Sequence, residues 1–279
     1  MNTTNPRNNE RAGSRLLLIL LLSAITVPSL HAQTDTDFDE YKVRITGFWF
    51  YSNPSGTIED ATTGDIINLH KDIGFNSYST FSGKLDWKFT RKNHIYLAGA
   101  PFDQSRQTVL QRTIVFQGQT FNVGVLTKVN LSAPLIAPGY QYDISRRRRG
   151  HIGIAVQIDL FPSSASFFAA AQVNTNNQVI SAKKSLLAPI PVAGPEGRFY
   201  LTNSPRLFVE GNLFGMYLFG YGNFISTTDD VGVTLTKHVS LNAGYQLGTR
   251  LNVNVDEKKD RFGLSLTQKG PIVGLEVSF

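Results

Sequence analysis

Ile67-Asn68-Leu69-His70-Lys71-Asp72 is the stretch in which this 279-residue chain brings a base nearest to acids, with Asp65 and Asp72 close to His70 in sequence. Hydrolysis by a side-chain nucleophile needs a Ser or Asp held against such a base and a carboxylate to orient it. Beyond residue 32 the other histidines are His94, His151 and His238, each following a basic turn at the start of an alternating segment. They are expected as polar residues at a rim, on segments that do not neighbour one another. His70 is expected as a loop residue, so a hydrolase ranks behind transport and recognition. No metal-ligand spacing, phosphate-binding loop or Cys/His cluster is present, and there is no cysteine. No metal, no other cofactor and no disulfide framework are expected.

Charge is unevenly placed. Arg146-Arg147-Arg148-Arg149 is the most basic run and is expected as a solvated turn. Beside a membrane each of its residues would be worth about 1 kcal/mol against anionic head groups. Asp229-Asp230 and Asp256-Glu257-Lys258-Lys259-Asp260 are expected in loops at the opposite end.

The elements that must position these residues are strands. Val239 to Val255 alternates apolar with polar over 17 residues, and Tyr41 to Tyr51, Phe81 to Phe89 and Ile152 to Leu160 do the same. No segment of comparable length carries the i, i+3, i+4 spacing of an amphipathic helix. A soluble sandwich also alternates, but its strands usually run about five or six residues. The segments here are long enough to cross a bilayer at barrel tilt, for which about 9–11 residues suffice.

The first 32 residues give the route. Arg7, Arg11 and Arg15 precede an apolar run from Leu16 to Val27, followed by Pro28 and Leu30-His31-Ala32. That is the charged start, apolar middle and small-residue end of a secretory signal peptide, expected to be cut after Ala32. The apolar run is too short for a spanning helix, which needs about 20 residues. Residues 33–279 are then one barrel domain. Taking Arg7, Arg11, Arg15 and Glu10 from the 27 basic and 21 acidic residues leaves 24 against 20, too mild an excess for a nucleic-acid partner.

Ten strands are expected, roughly 41–51, 80–90, 94–102, 126–144, 150–168, 185–201, 206–220, 230–237, 239–253 and 262–279, with eight or twelve as alternatives. Short links alternate with longer ones, of which 52–79, 103–125 and 169–184 are the longest. Outer-membrane barrels have that asymmetry, with short periplasmic turns and longer extracellular loops. Apolar parity reverses at Pro138-Gly139 and again around Gly270-Pro271, so a bulge is expected at each. Region 183–201, with Pro189, Pro191 and Pro195, carries the weakest strand signal.

The chain ends Val273-x-Leu275-x-Val277-x-Phe279. With the signal peptide and the alternating strands, this ending resembles the C-terminal signature of outer-membrane β-barrel proteins of Gram-negative bacteria. Arg112 to Phe121, followed by Gly139-Tyr140-Gln141-Tyr142-Asp143, resembles a group of small barrels whose function is largely unassigned. The resemblance implies an all-β fold, a transmembrane antiparallel up-and-down barrel in the cell outer membrane. It also implies that the barrel-assembly machinery reads Val273, Leu275, Val277 and Phe279.

In hydrocarbon every backbone N–H and C=O needs an internal partner, so the last strand must pair with the first. Tyr41, Val43, Ile45 and Trp49 then face lipid, and Glu276 approaches Lys42 or Arg44 inside. The expected lumen carries Lys42, Arg44, Lys84, Lys88 and Arg250 against Asp86, Asp159, Glu210 and Glu276. Tyr41, Trp87, Phe89, Tyr142, Phe199, Tyr200 and Phe279 are expected as one aromatic girdle; Trp49, Tyr51, Phe81, Phe167, Phe219 and Tyr221 form the other. Such a lumen is either a narrow channel or a plug of paired charges, since eight-stranded interiors are just filled by side chains. The expected function is therefore a narrow or plugged barrel with a structural or small-solute passage role. The alternative is a recognition barrel binding partners through loops 52–79 and 103–125. A monomer in contact with outer-membrane lipid and lipopolysaccharide is expected.

Overall fold

Alternation with period two makes strands, and strands that cannot leave a bare edge in lipid must close on themselves. The computed structural model describes residues 37–60, 65–173, 176–218, 222–255 and 262–279. In chain order the strands are β1 (Val43–Asp60), β2 (Asp65–Asn68), β3 (Tyr78–Lys88), β4 (Asn93–Ala100), β5 (Asp103–Val109), β6 (Ile114–Phe116), β7 (Gln119–Phe121), β8 (Leu126–Ser132), β9 (Leu135–Arg147), β10 (Gly150–Val173), β11 (Asn176–Tyr200), β12 (Arg206–Leu218), β13 (Gly222–Thr234), β14 (Val239–Val255) and β15 (Phe262–Ser278). β1, β3, β4, β9, β10, β11, β12, β13, β14 and β15 pair antiparallel in that order, and β15 returns to β1, which closes a 10-strand barrel. The seam runs from Arg44↔Ser278 to Asp60↔Phe262, and the Phe279 N–H donates to the Val43 carbonyl at 2.8 Å. Residues 1–32, Phe219, Tyr221 and Asp256 to Asp260 lie outside the described residues.

Short turns, Phe279 and the segment before β1 gather at one end, where the Phe38 N–H donates to the Arg148 carbonyl and the Lys42 N–H to that of Phe279. The other end is taller than the sequence suggests. Residues 169–184 are not a loop: β10 and β11, 24 and 25 residues long, stay paired from Gly150↔Phe199 to Val173↔Asn176. β8 pairs with β10 and β5 with β8, which makes a raised wall in the order β5-β8-β10-β11. β2 likewise extends β1. The β6–β7 hairpin turns through Gln117 and Gly118, both at positive φ, the type I′ geometry that suits a two-residue hairpin.

Neither expected bulge occurs. The β4–β9 ladder runs unbroken through Leu97↔Pro138 and Tyr96↔Gly139, and β1–β15 keeps one register on both sides of Gly270-Pro271. Odd residues face the interior from Val129 through Ala137 to Asp143, and even ones from Leu264 through Ile272 to Glu276. What reverses is the surroundings. Within the membrane the apolar face looks outward, and beyond it the same strand turns apolar side chains inward. The register shifts lie at Ile152/Gly153 against β9 and on β14 between Gln246 and Thr249, where β14 shifts against both β13 and β15; the latter falls opposite Gly270, but the extra residue is on β14 and not on β15. Pro189 and Pro191 sit where β11 has no β12 partner, since that ladder begins at Ala193, and Pro195 lies in its gap before Glu196. Proline has no N–H to give a ladder, so these are the places that tolerate it.

Two glycines make room for lumen aromatics. A Cβ on Gly139 would stand 2.3 Å from Tyr96 Cζ, and one on Gly232 would stand 2.2 Å from Phe208 Cζ, each across its own ladder pair.

The outer belt is read most clearly on β10, where Ile152, Ile154, Val156, Ile158 and Pro162 all point out and are exposed. From Ile152 to Pro162 the strand climbs about 33 Å along its axis, or about 25 Å at barrel tilt, the height of an outer-membrane apolar band. Trp87, Phe89, Tyr142, Phe199 and Phe279 are exposed near the short-turn end, and Trp49, Tyr51 and Phe81 near the other. Tyr41, Tyr200 and Phe167, expected in these girdles, are buried instead.

Candidate functional site: a lumen filled at two levels

The short-turn half of the lumen is built around Asp39, which precedes β1 and folds up into the barrel. Its carboxylate pairs with Arg44, lies 2.9 Å from His151 Nδ1 and 3.6 Å from Lys88 Nζ, and its carbonyl accepts from Arg146 Nη2 at 2.7 Å. Arg146 also reaches Asp37 at 2.7 Å and Asp143 at 3.1 Å. The Tyr41 ring lies between the Arg44 guanidinium and the Lys88 ammonium, each 3.7 Å from its centroid. Two contacts cross the lumen. Arg198 on β11 reaches Glu276 on β15 at 2.8 Å while pairing with Glu210, and Lys84 on β3 reaches Glu196 on β11 at 2.8 Å. Arg44 Nε stands 3.4 Å from Glu276 Oε1 beside the seam. Unpaired charge in such a place is costly, and each group here has an opposite charge against it. A void of about 30 Å³ among Arg44, Lys84, Asp86, Gln141, Glu196 and Glu276 has the size of a water site.

His94 is fully buried, with Nδ1 3.2 Å from Asp86 and Nε2 3.1 Å from Asp143. A neutral imidazole has one acceptor nitrogen, so facing carboxylates from both nitrogens fits a ring that donates twice. Tyr41 Oη lies 3.1 Å from the same Nδ1. Hydroxyl, imidazole and carboxylate stand in line, but no surface of His94 meets solvent, and the arrangement is a polar tie.

Above the charged layer the lumen is mainly apolar, with Arg106 and Lys184 on the inner face of its raised wall. Phe161 and Phe224 face each other from β10 and β13 at 6.2 Å between centroids, with Ile190, Val192, Leu264 and Leu266 around them. The β6–β7 hairpin closes this end by packing Phe116 and Phe121 on Phe167, at 4.6 and 5.6 Å. Arg112 ties it down, donating to Asp65 at 2.8 Å, to Asp72 at 2.9 Å and to the Ile66 carbonyl at 2.6 Å. Burial pushes the Asp72 carboxyl up, but the hydrogen bonds from Arg112 and the Asn68 N–H outweigh it and hold the group below the usual carboxylate range.

Arg44, Lys84, Asp86, Lys88, Asp159, Glu210 and Glu276 lie in the lumen. Lys42 does not: it is exposed and Tyr41 is buried, because β1 begins only at Val43 and alternation does not bind the two residues before it. The Arg250 side chain lies outside the described residues. Arg147, Arg148 and Arg149 are largely outside, whereas Arg146 is drawn into the lumen by three aspartates. His94 and His151 are not at the rim; both turn inward, 6.1 Å apart between ring centroids. His238 is exposed and stacks on Phe279. His70 directs Nδ1 to the Phe75 carbonyl at 2.9 Å, and its neighbouring acids belong to Arg112, so no nucleophile–base pair forms there. Val273, Leu275 and Phe279 face outward and exposed, and Val277 is half-buried. Asp39, Asp143, Glu196 and Arg198 were not anticipated as lumen residues. For Asp143 the signal was available, since Tyr140, Tyr142 and Ile144 on the apolar face leave it on the other.

Neither a protein-family model nor a curated protein matches the chain. Among solved structures it is similar to the outer membrane protease OmpT from Escherichia coli, 12% identical over 87% of this chain and 100% of that one, with a TM-score of 0.51. Looser likenesses are Ail, the attachment invasion locus protein of Yersinia pestis (9% identity, 85% and 99% covered, TM-score 0.37), and the translocator domain of autotransporter NalP from Neisseria meningitidis (12%, 97% and 98%, 0.39). The fold is that of an integral outer-membrane β-barrel.

Proposed function

We propose that this protein is a plugged outer-membrane barrel that passes no solute and works through the surfaces it raises at its loop end. The observation that carries this is the filled lumen: a layer of paired charge around Asp39, Arg198 and Glu276, and above it an apolar layer under the β6–β7 cap. A permeant ion would have to part both. In this reading residues 1–32 direct export and are removed after Ala32, and Val273, Leu275, Val277 and Phe279 are presented to the barrel-assembly machinery. The short turns, with Arg147 to Arg149, face the periplasm and the inner leaflet. The tall walls stand outside the cell in contact with lipopolysaccharide, and the protein is a monomer.

Liposome swelling tests the plug. Proteoliposomes carrying the refolded chain should swell no faster in small sugars or amino acids than empty liposomes; swelling that scales with protein content would overturn the reading.

A further inference from the structure

The outer face of the raised wall is unlike the belt beneath it. Ser105, Asn130 and Ser166 form a row across β5, β8 and β10, with Ser105 Oγ donating to Asn130 Oδ1 at 2.7 Å and Asn130 Nδ2 donating to Ser166 Oγ at 3.2 Å. Register extends the row to Lys183 on β11. The next row runs Gln107, Lys128, Phe168, Ser181. Lys128, Phe168, Ser181 and Lys183 are exposed, and Phe168 points the same way as Ile152 to Ile158 lower on β10, away from the lumen. Lys128, Asn130, Ser166, Phe168, Ser181 and Lys183 line an open groove of about 510 Å³. Neither row contains a carboxylate; Asp103 stands one row lower, beside Ser132. Lys128 and Lys183 make no ion pair among the described residues.

Position selects the partner. Pro162 is the last apolar outward residue of the belt on β10, and Ser164, Ser166 and Phe168 follow at two-residue steps. At barrel tilt they stand about 5–15 Å above the hydrocarbon edge. In an outer leaflet that level is filled by phosphorylated sugar head groups. Two ammonium groups suit phosphate, the preorganised hydroxyl–amide row suits sugar hydroxyls, and the Phe168 ring offers an apolar face to a sugar ring.

We propose that this groove binds the phosphorylated head group of lipopolysaccharide, with Lys128 and Lys183 on phosphate and Phe168 against a sugar. The proposal rests on the outer-membrane reading above for the orientation of the wall, and not on whether the lumen conducts.

The full chain, refolded in detergent micelles, is titrated with purified lipopolysaccharide and with the same material after enzymatic dephosphorylation. Lys128→Glu/Lys183→Glu should bind intact lipopolysaccharide at least tenfold more weakly than the parent. Dephosphorylation should bring the parent down to the level of that variant. Phe168→Ser should weaken binding with the salt dependence unchanged, and Lys269→Glu, on the opposite wall, should bind as the parent does. Equal binding by parent and double variant, or an equal loss in Lys269→Glu, would overturn the site. So would full competition by millimolar inorganic phosphate, which would mark a site for free anions. Should the double glutamate variant not fold, Lys128→Gln/Lys183→Gln carries the same expectation. Swelling in liposomes with lipopolysaccharide binding intact would overturn the plug alone, so the two failures are distinguishable.

Discussion

Arg198 and Glu276 meet across the lumen, Nη1 to Oε1 at 2.8 Å, although three strands separate β11 from β15 around the wall. The contact is a strut: it holds opposite walls together and occupies the centre of the bore. Removing one partner of a buried pair leaves the other charge stranded and typically costs about 3–5 kcal/mol. Arg198→Met should lower unfolding stability in micelles by about that much, read from denaturant titration. Arg198→Met combined with Glu210→Gln and Glu276→Gln should recover a substantial part of the loss. A triple variant no more stable than the single one would show that packing, and not charge pairing, holds the strut.

His94 carries the second tie. With Asp86 and Asp143 on its two nitrogens, His94→Leu leaves two carboxylates facing an apolar side chain. A loss of about 3–5 kcal/mol is expected, and Asp143→Asn added to His94→Leu should return part of it. Thermal unfolding followed by circular dichroism measures both.

Gly139 has no room for a side chain beneath the Tyr96 ring. Gly139→Val should cost about 1–3 kcal/mol through overpacking, and Tyr96→Ala in the same chain should relieve the clash. If the two single variants prove strictly additive in a double-mutant cycle, the ring does not lie on the glycine.

The cap should loosen in acid. Asp72 titrates lower in the folded protein than in the unfolded chain, so its stabilising contribution is complete above the ordinary carboxylate pKa. That contribution is lost as pH falls through the lowered folded value. Protection of the Ile114 to Phe121 amides, taken relative to the intrinsic exchange rate at each pH, should be high at neutral pH and fall as Asp72 is protonated. Arg112→Ala should show low protection at both pH values, with the protection itself little changed by pH.

Most of the barrel was legible in the sequence because period two and the need to close leave few alternatives. The seam and the long strands follow from those two constraints, and the alternation of short with longer links selects ten strands over eight or twelve. Several of the differences share one cause, although Asp229-Asp230, expected in a loop, lies within β13 with Asp230 buried. Apolar parity reports a face together with its surroundings, and at Pro138-Gly139 and Gly270-Pro271 the surroundings changed while the face did not. The same inversion hid Phe167 in the upper lumen and made 169–184 read as a loop. Asp39 gave no signal, because it precedes the first strand and enters the lumen as a folded-in segment. Arg146 read as one of four solvated arginines because two of the aspartates that draw it inward, Asp37 and Asp39, lie before the first strand and far from it in sequence, although alternation places the third, Asp143, on the inner face.

The plug is tested most directly by current across a planar bilayer. The refolded chain should add no conductance above background at any voltage, and Arg198→Gly, which removes the strut, should add at most rare, small openings because the apolar layer remains. Stable, ohmic steps from the parent chain would contradict a sealed lumen.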